Sequence, residues 1–175
     1  MSIRESVRPA RASASRFALA WCLCTAPACS SSVNAATSAP LPGPIGISGA
    51  FSLSASSAEL RDPTARVQYV LTIANTGATV DTVTSGACWG NLRLYVDSAR
   101  ATAPAFDSGS LAVACPLFLR VQPLGPGNTL SLTGSAFVTD MVAAGLMPGR
   151  YYAALVVIPN GTMTIVPAGQ VTIAP

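Results

Sequence analysis

Histidine and lysine are both absent from this 175-residue chain, and that sets the limits of its chemistry. Without histidine there is no Ser-His-Asp or Cys-His nucleophile system. Without lysine there is no Ser-Lys dyad, Schiff base or phosphate-binding P-loop. The acids are Glu5, Glu59, Asp62, Asp81, Asp97, Asp107 and Asp140. None pairs with another at short spacing, whereas glycoside hydrolysis needs two facing carboxyl groups. Asp97 and Asp107 flank one loop. Gathered with Asp140 in a deep pocket they would indicate an enzyme; apart, they are solvated turn residues. Ser85, in Ser85-Gly86-Ala87-Cys88, has no base beside it. The Gly-rich stretch Leu124–Asn128 has no strand–loop–helix context and reads as a turn. No cofactor site is expected.

Sulfur is the remaining reactive element, in Cys22, Cys24, Cys29, Cys88 and Cys115. Arg4, Arg8, Arg11 and Arg16 precede a short apolar run from Phe17 to Thr25, followed by Ala26-Pro27-Ala28-Cys29-Ser30. A basic region, an apolar region and a small-residue cleavage site in that order make an export leader. The run is too short for the roughly 20 residues of a spanning helix. This arrangement resembles a bacterial lipoprotein signal over residues 1–28, with lipidation at Cys29, although Ala26 stands where leucine is usual. A plain secretory cut, after Ala28 or Ala35, is the alternative. The expected location is the cell envelope, on a membrane surface through a lipid anchor or in the periplasm; a plain cut would give a secreted protein.

With Cys22 and Cys24 removed and Cys29 lipidated, Cys88 and Cys115 remain, an even number in an oxidising compartment. A bridge between them closes a loop of about 28 residues, which chain entropy values at roughly 3–4 kcal/mol. Two cysteines without histidine make no zinc site, so no metal is expected.

The net charge of +3 belongs to the leader. Arg61, Arg66, Arg93, Arg100, Arg120 and Arg150 balance the six acids that follow it. No basic patch results, which argues against nucleic acid as a partner. Charged residues make up 10% of the chain, against roughly 25% in an average domain. Val, Thr, Gly and Pro replace helix formers, which favours strands.

Residues 29–44 are mostly Ser, Ala and Pro and form a tether, stiffer at its proline end. From residue 45 onward the pattern is β. Ile47 to Ala55 alternates apolar with small or polar residues. Val67, Tyr69, Leu71 and Ile73 share one face of the next strand, which ends at Asn75-Thr76-Gly77. Further strands are expected at Val80–Thr84, Asn91–Val96, Pro116–Val121 and Thr129–Thr133. Asp140 to Gly145 reads as one helical turn, with Asp140 as N-cap and Gly145 just past its end. Tyr151 to Ile158 is apolar on both faces and should be a central strand. Asn160-Gly161 signals a hairpin into Thr162–Val166; the sequon at Asn160-Gly161-Thr162 is read as that turn. Gln170–Ile173 is the last edge. Seven to nine short strands with near-regular turns give an all-β, immunoglobulin-like antiparallel β-sandwich over residues 45–175.

Leu71-Thr72-Ile73-Ala74-Asn75-Thr76-Gly77 and Leu146-Met147-Pro148-Gly149-Arg150-Tyr151-Tyr152 are similar to the strand close and the "L-x-P-G-x-Y" strand entry of bacterial immunoglobulin-like modules. In such modules a tyrosine hydroxyl bonds back to the backbone, a role for Tyr151 or Tyr152. The order Asn75-Thr76, Leu92 to Asp97, Ala105-Phe106-Asp107-Ser108, Pro126-Gly127 and Pro148-Gly149-Arg150-Tyr151 resembles the Bacillus intracellular proteinase inhibitor family over about residues 65–158. The leader and the cysteine pair depart from that family's pattern.

These readings lead to a non-enzymatic binding or structural module of the cell envelope, with a membrane reached through its lipid and a protein partner. Its working surface would be the cysteine-bounded segment Trp89–Ala114. Candidate contact residues are Trp89, Arg93, Arg100 and Phe106. Trp89 is either an exposed anchor or packing beside the Cys88 bridge. The alternative, implied by the family resemblance, is a proteinase inhibitor of the extracytoplasmic space acting through exposed loops.

Overall fold

The structure is a computed structural model that describes residues 41–174 apart from 62–63, 112–113 and 117. The residues expected to form the leader, Cys29 and the part of the expected tether up to residue 40 lie outside the described residues.

Among the described residues, ten strands form two sheets. They are β1 (Pro44–Ile47), β2 (Phe51–Leu60), β3 (Arg66–Asn75), β4 (Asp81–Gly86), β5 (Gly90–Tyr95), β6 (Phe106–Asp107), β7 (Leu119–Leu124), β8 (Thr129–Phe137), β9 (Gly149–Pro159) and β10 (Thr164–Ile173). One sheet runs β6-β5-β9-β1-β4-β7, with β10 on the other edge of β9; the second runs β2-β3-β8. The arrangement is a β-sandwich, with one strand more than the seven to nine expected. Phe106–Asp107 adds a short strand, the run 47–55 splits in two, and the two last strands expected merge into β10.

The split occurs at Gly49. Its φ is +75°, a conformation that costs glycine little and other residues much. An added Cβ there would lie 2.1 Å from Asp81 Oδ1. The chain therefore turns between Ile47 and Phe51 and crosses from one sheet to the other. β1 also breaks the expected antiparallel rule, because it pairs parallel with β9 at Pro44–Ile158 and Ile45–Pro159. The amide of Asn160 lengthens that pairing. Its Oδ1 accepts from Ile47 N–H and its Nδ2 donates to Ile47 C=O, both at 2.8 Å. Asn160 and Gly161 both have positive φ, and Thr162 N–H donates to Pro159 C=O at 2.9 Å, closing a primed turn between β9 and β10.

Alternation decides the core. Val67, Tyr69, Leu71 and Ile73 of β3 are buried, as are Leu92 and Leu94 of β5. In β9, Ala153 to Val157 are buried without a break, as suits a strand paired along both edges. Each fully buried leucine contributes about 1.5–3 kcal/mol. Ser57 of β2 donates its hydroxyl to the Ala168 carbonyl at 2.7 Å, tying the two sheets along one side.

The one α-helix among the described residues, α1 (Val138–Ala143), begins two residues before Asp140; Phe137 is the N-cap and provides no side-chain bond. Its end follows from the sequence. Gly145 has φ +90° and donates to Val142 C=O, while Leu146 donates to Met141 C=O, both at 2.9 Å. With Met141 and Leu146 both buried, this is a Schellman cap with its apolar contact.

Candidate functional site

The segment between the cysteines begins at the end of β4. Cys88 and Cys115 form a disulfide with Cα atoms 5.7 Å apart. Gly43 N–H donates to the Cys88 carbonyl at 2.6 Å, so the chain preceding β1 is fastened beside the bridge. From there β5 runs antiparallel to β9, from Gly90–Val157 to Tyr95–Tyr152.

Asp107 organises the return. It caps the 3-10 turn Ser108–Ser110 by accepting from Gly109 N–H at 2.9 Å. Its other oxygen accepts from Arg93 Nε at 2.7 Å. Burial opposes the charge of Arg93, but the hydrogen bond and charge of Asp107, joined by the Tyr95 hydroxyl, outweigh it and hold the guanidinium above its ordinary pKa. Ser108 Oγ accepts from Leu92 N–H at 2.9 Å.

The loop between β5 and β6 is built on Asp97. Its carboxylate accepts from Ala101 N–H at 3.2 Å and from the Thr102 hydroxyl at 2.6 Å. These bonds, the Thr102 one foremost, hold its pKa below the ordinary 3.8. A depressed carboxylate contributes stability above its unfolded pKa and loses it as pH falls through the folded value. The Ala101 amide is therefore expected to resist hydrogen exchange near neutral pH and to open below pH 3.8. Asp97→Asn should remove that pH dependence.

The four candidate contact residues do not form an exposed site. Trp89 and Phe106 are buried, because aromatics next to strand-forming runs are drawn into the core. Trp89 meets the ring of Tyr69 edge-on, with centroids 5.8 Å apart. Arg93 is committed to Asp107. Arg100, half-buried with φ +55°, folds back onto its own loop, Nη1 donating to Ser98 C=O at 3.3 Å. The aspartates expected to mark an enzyme if clustered are not gathered. Asp97 and Asp107 serve their own turns, and no group of three His, Cys, Asp or Glu residues able to hold a metal occurs among the described residues.

A cleft of about 440 Å³ opens beside the bridge, with Leu41, Pro42, Tyr69, Trp89, Leu111 and Asp140 in its walls. Asp140 is the one charged residue in its described lining. Among its described lining residues the mostly apolar walls with a single carboxylate suit an apolar group. Its floor depends on Gly134. That residue pairs with Tyr69 across β3 and β8, and a Cβ on it would lie 2.4 Å from the Tyr69 ring. A glycine within a strand run signals such a close approach, but only the pairing shows what approaches. Gly134→Ala must displace the buried ring, which packs edge-on against Trp89. The expected loss is about 1–3 kcal/mol, read from the urea midpoint. An unchanged midpoint would mean that the ring moves freely.

Tyr151 makes the back-bond. It is buried, and its hydroxyl donates to Met147 C=O at 2.6 Å, four residues upstream. Tyr152 lies on the opposite face, half-buried. Tyr151→Phe is expected to cost about 1 kcal/mol and Tyr152→Phe less than about 0.5 kcal/mol, measured by thermal unfolding.

The fold and this segment define an all-β sandwich with one disulfide, Cys88–Cys115, among its described residues. The sequence matches no protein-family model and no curated protein.

Proposed function

We propose that this chain is a non-enzymatic binding or structural module of the bacterial cell envelope, held on a membrane through lipid at Cys29. The Cys88–Cys115 disulfide carries the reading, since a structural bridge suits an oxidising compartment. The leader-like order of residues 1–28 agrees with it. So does the lack of histidine and lysine, which leaves recognition as the main work available. The cleft between Trp89 and Asp140 is the place for an apolar group of a partner.

The intact mass of the protein produced in a bacterial host, with and without reduction, tests this. The expected result is an acylated chain beginning at Cys29 that gains the mass of two hydrogen atoms when the reductant supplies two electrons and two protons to the disulfide. An unprocessed chain with free thiols would sink it.

A second reading, a proteinase inhibitor of the extracytoplasmic space, draws on the Asp97 loop. Inhibitory loops are exposed and rigid, and here Val96, Ser98 and Ala101 to Ala103 are exposed around a carboxylate that holds its own turn. Inhibition of an extracytoplasmic proteinase that disappears in Asp97→Ala would favour it over the first reading.

A further inference from the structure

β7 is the last strand of its sheet, with β4 on one side and no strand on the other among the described residues. Which of its backbone groups are free follows from one bond. Ser48 N–H donates to Thr82 C=O at 3.0 Å, so the main-chain groups of Thr82 turn toward β1. Antiparallel strands alternate. Asp81, Val83 and Ser85 therefore turn toward β7, where they meet Leu124, Gln122 and Arg120. By the same alternation Leu119, Val121 and Pro123 direct their main-chain groups away from β4, into the free edge. Pro123 fits this placement, because proline lacks the N–H that a ladder position requires.

The side chains of these three residues share one face of the sheet. Leu119 is 74% exposed and Val121 62%. Edge strands are normally blunted by charge, by proline or by inward-pointing charged groups. Here only Pro123, near the end of the strand, blunts the edge; Leu119 and Val121 leave their N–H and C=O groups there without charge or proline.

We propose that β7 pairs with β7 of a second copy, antiparallel about a two-fold axis through Val121. In that register Val121 exchanges two hydrogen bonds with the partner's Val121. Leu119 N–H donates to the carbonyl of the partner's Pro123, and symmetry repeats the bond. The only ladder bonds missing are those that Pro123 has no N–H to donate. Centring the axis on Pro123 would forfeit both central bonds. Arg120 falls opposite the partner's Gln122, so no like charges face one another. Leu119, Val121 and Pro123 become one apolar stripe across the junction, the isologous form that most homodimers take. The pairing does not depend on export or on lipid.

Sedimentation velocity of the full-length chain from about 10 μM to 1 mM, the range suited to a small interface, tests it with three variants. The native chain is expected to form a reversible dimer. Val121→Pro removes only donors that face the free edge, as Pro123 already does, and should weaken the dimer at least about tenfold. Gln122→Glu sets an acid opposite the partner's Arg120 twice and should tighten it a few-fold, while Gln122→Arg should weaken it. Thermal unfolding checks that each variant folds; if Val121→Pro does not, the Gln122 pair decides alone. A monomer throughout the range, a dimer indifferent to Val121→Pro, or Gln122 changes acting alike or in the opposite sense would each overturn the proposal.

Discussion

Cys88→Ser/Cys115→Ser is expected to unfold roughly 10–15 °C below the native protein. The bridged residues are 27 positions apart. Chain entropy alone values a loop of that length at roughly 3.6 kcal/mol, a large share of the stability of a single domain. The loss arises mainly in the unfolded chain, which regains the freedom the bridge removed. The folded contacts of the segment remain: β5 keeps its ladder to β9, and Arg93 keeps Asp107. The double variant should therefore refold to the same circular dichroism spectrum with a lower midpoint. Thermal unfolding of the native protein with and without reductant provides the same comparison without mutation. A midpoint moved by less than about 3 °C would mean that the bridge constrains little.

Asn75→Ala should cost about 3–4 kcal/mol, because the residue is 2% exposed and its side-chain amide satisfies three backbone groups. Nδ2 donates to Thr79 C=O at 2.7 Å and to Leu124 C=O at 2.8 Å. Oδ1 accepts from Gly77 N–H at 2.8 Å. The backbone of the same residue donates to Asn128 C=O and accepts from Gly127 N–H. One residue thus joins the β3–β4 turn to the β7–β8 turn. Alanine would leave three main-chain groups without their partner, each costing about 1 kcal/mol or more where water cannot replace it. Urea unfolding at constant slope would measure the loss. Asn75→Asp separates shape from hydrogen bonding. The carboxylate still accepts from Gly77 but faces two carbonyl oxygens, so its folded pKa rises above the unfolded one. Stability of that variant should increase as pH falls and the acid gains a proton to donate. A variant as stable as the native protein at neutral pH would contradict this assignment.

Asn75 also shows how much of the site the sequence revealed. The end of a strand at Asn75-Thr76-Gly77 was readable from residue types, because asparagine and glycine favour turns. Its bond to Leu124, 49 positions away, was not. The same division runs through the cysteine-bounded segment. The strand at Leu92 and Leu94 was legible in its alternation. The burial of Trp89 and Phe106 and the pairing of Arg93 with Asp107 depend on how β5 and β6 align. Pro116 and Val121 bounded an expected strand that runs instead from Leu119 to Leu124, because pairing with β4 sets its limits.

Local chemistry determined the all-β character, the inward faces of β3 and β5, the Asn160-Gly161 turn and the glycine end of α1. Each rests on interactions within a few residues, where steric preference and alternation act directly on neighbouring positions. The tertiary structure alone decided the division of the run 47–55 between two sheets, the parallel join of β1 to β9, the seating of Tyr69 on Gly134 and the place of β7 as the last strand of its sheet among the described residues. These depend on register between distant strands. Register is chosen by burying whole faces at once, a cooperative choice that no single stretch of sequence makes by itself.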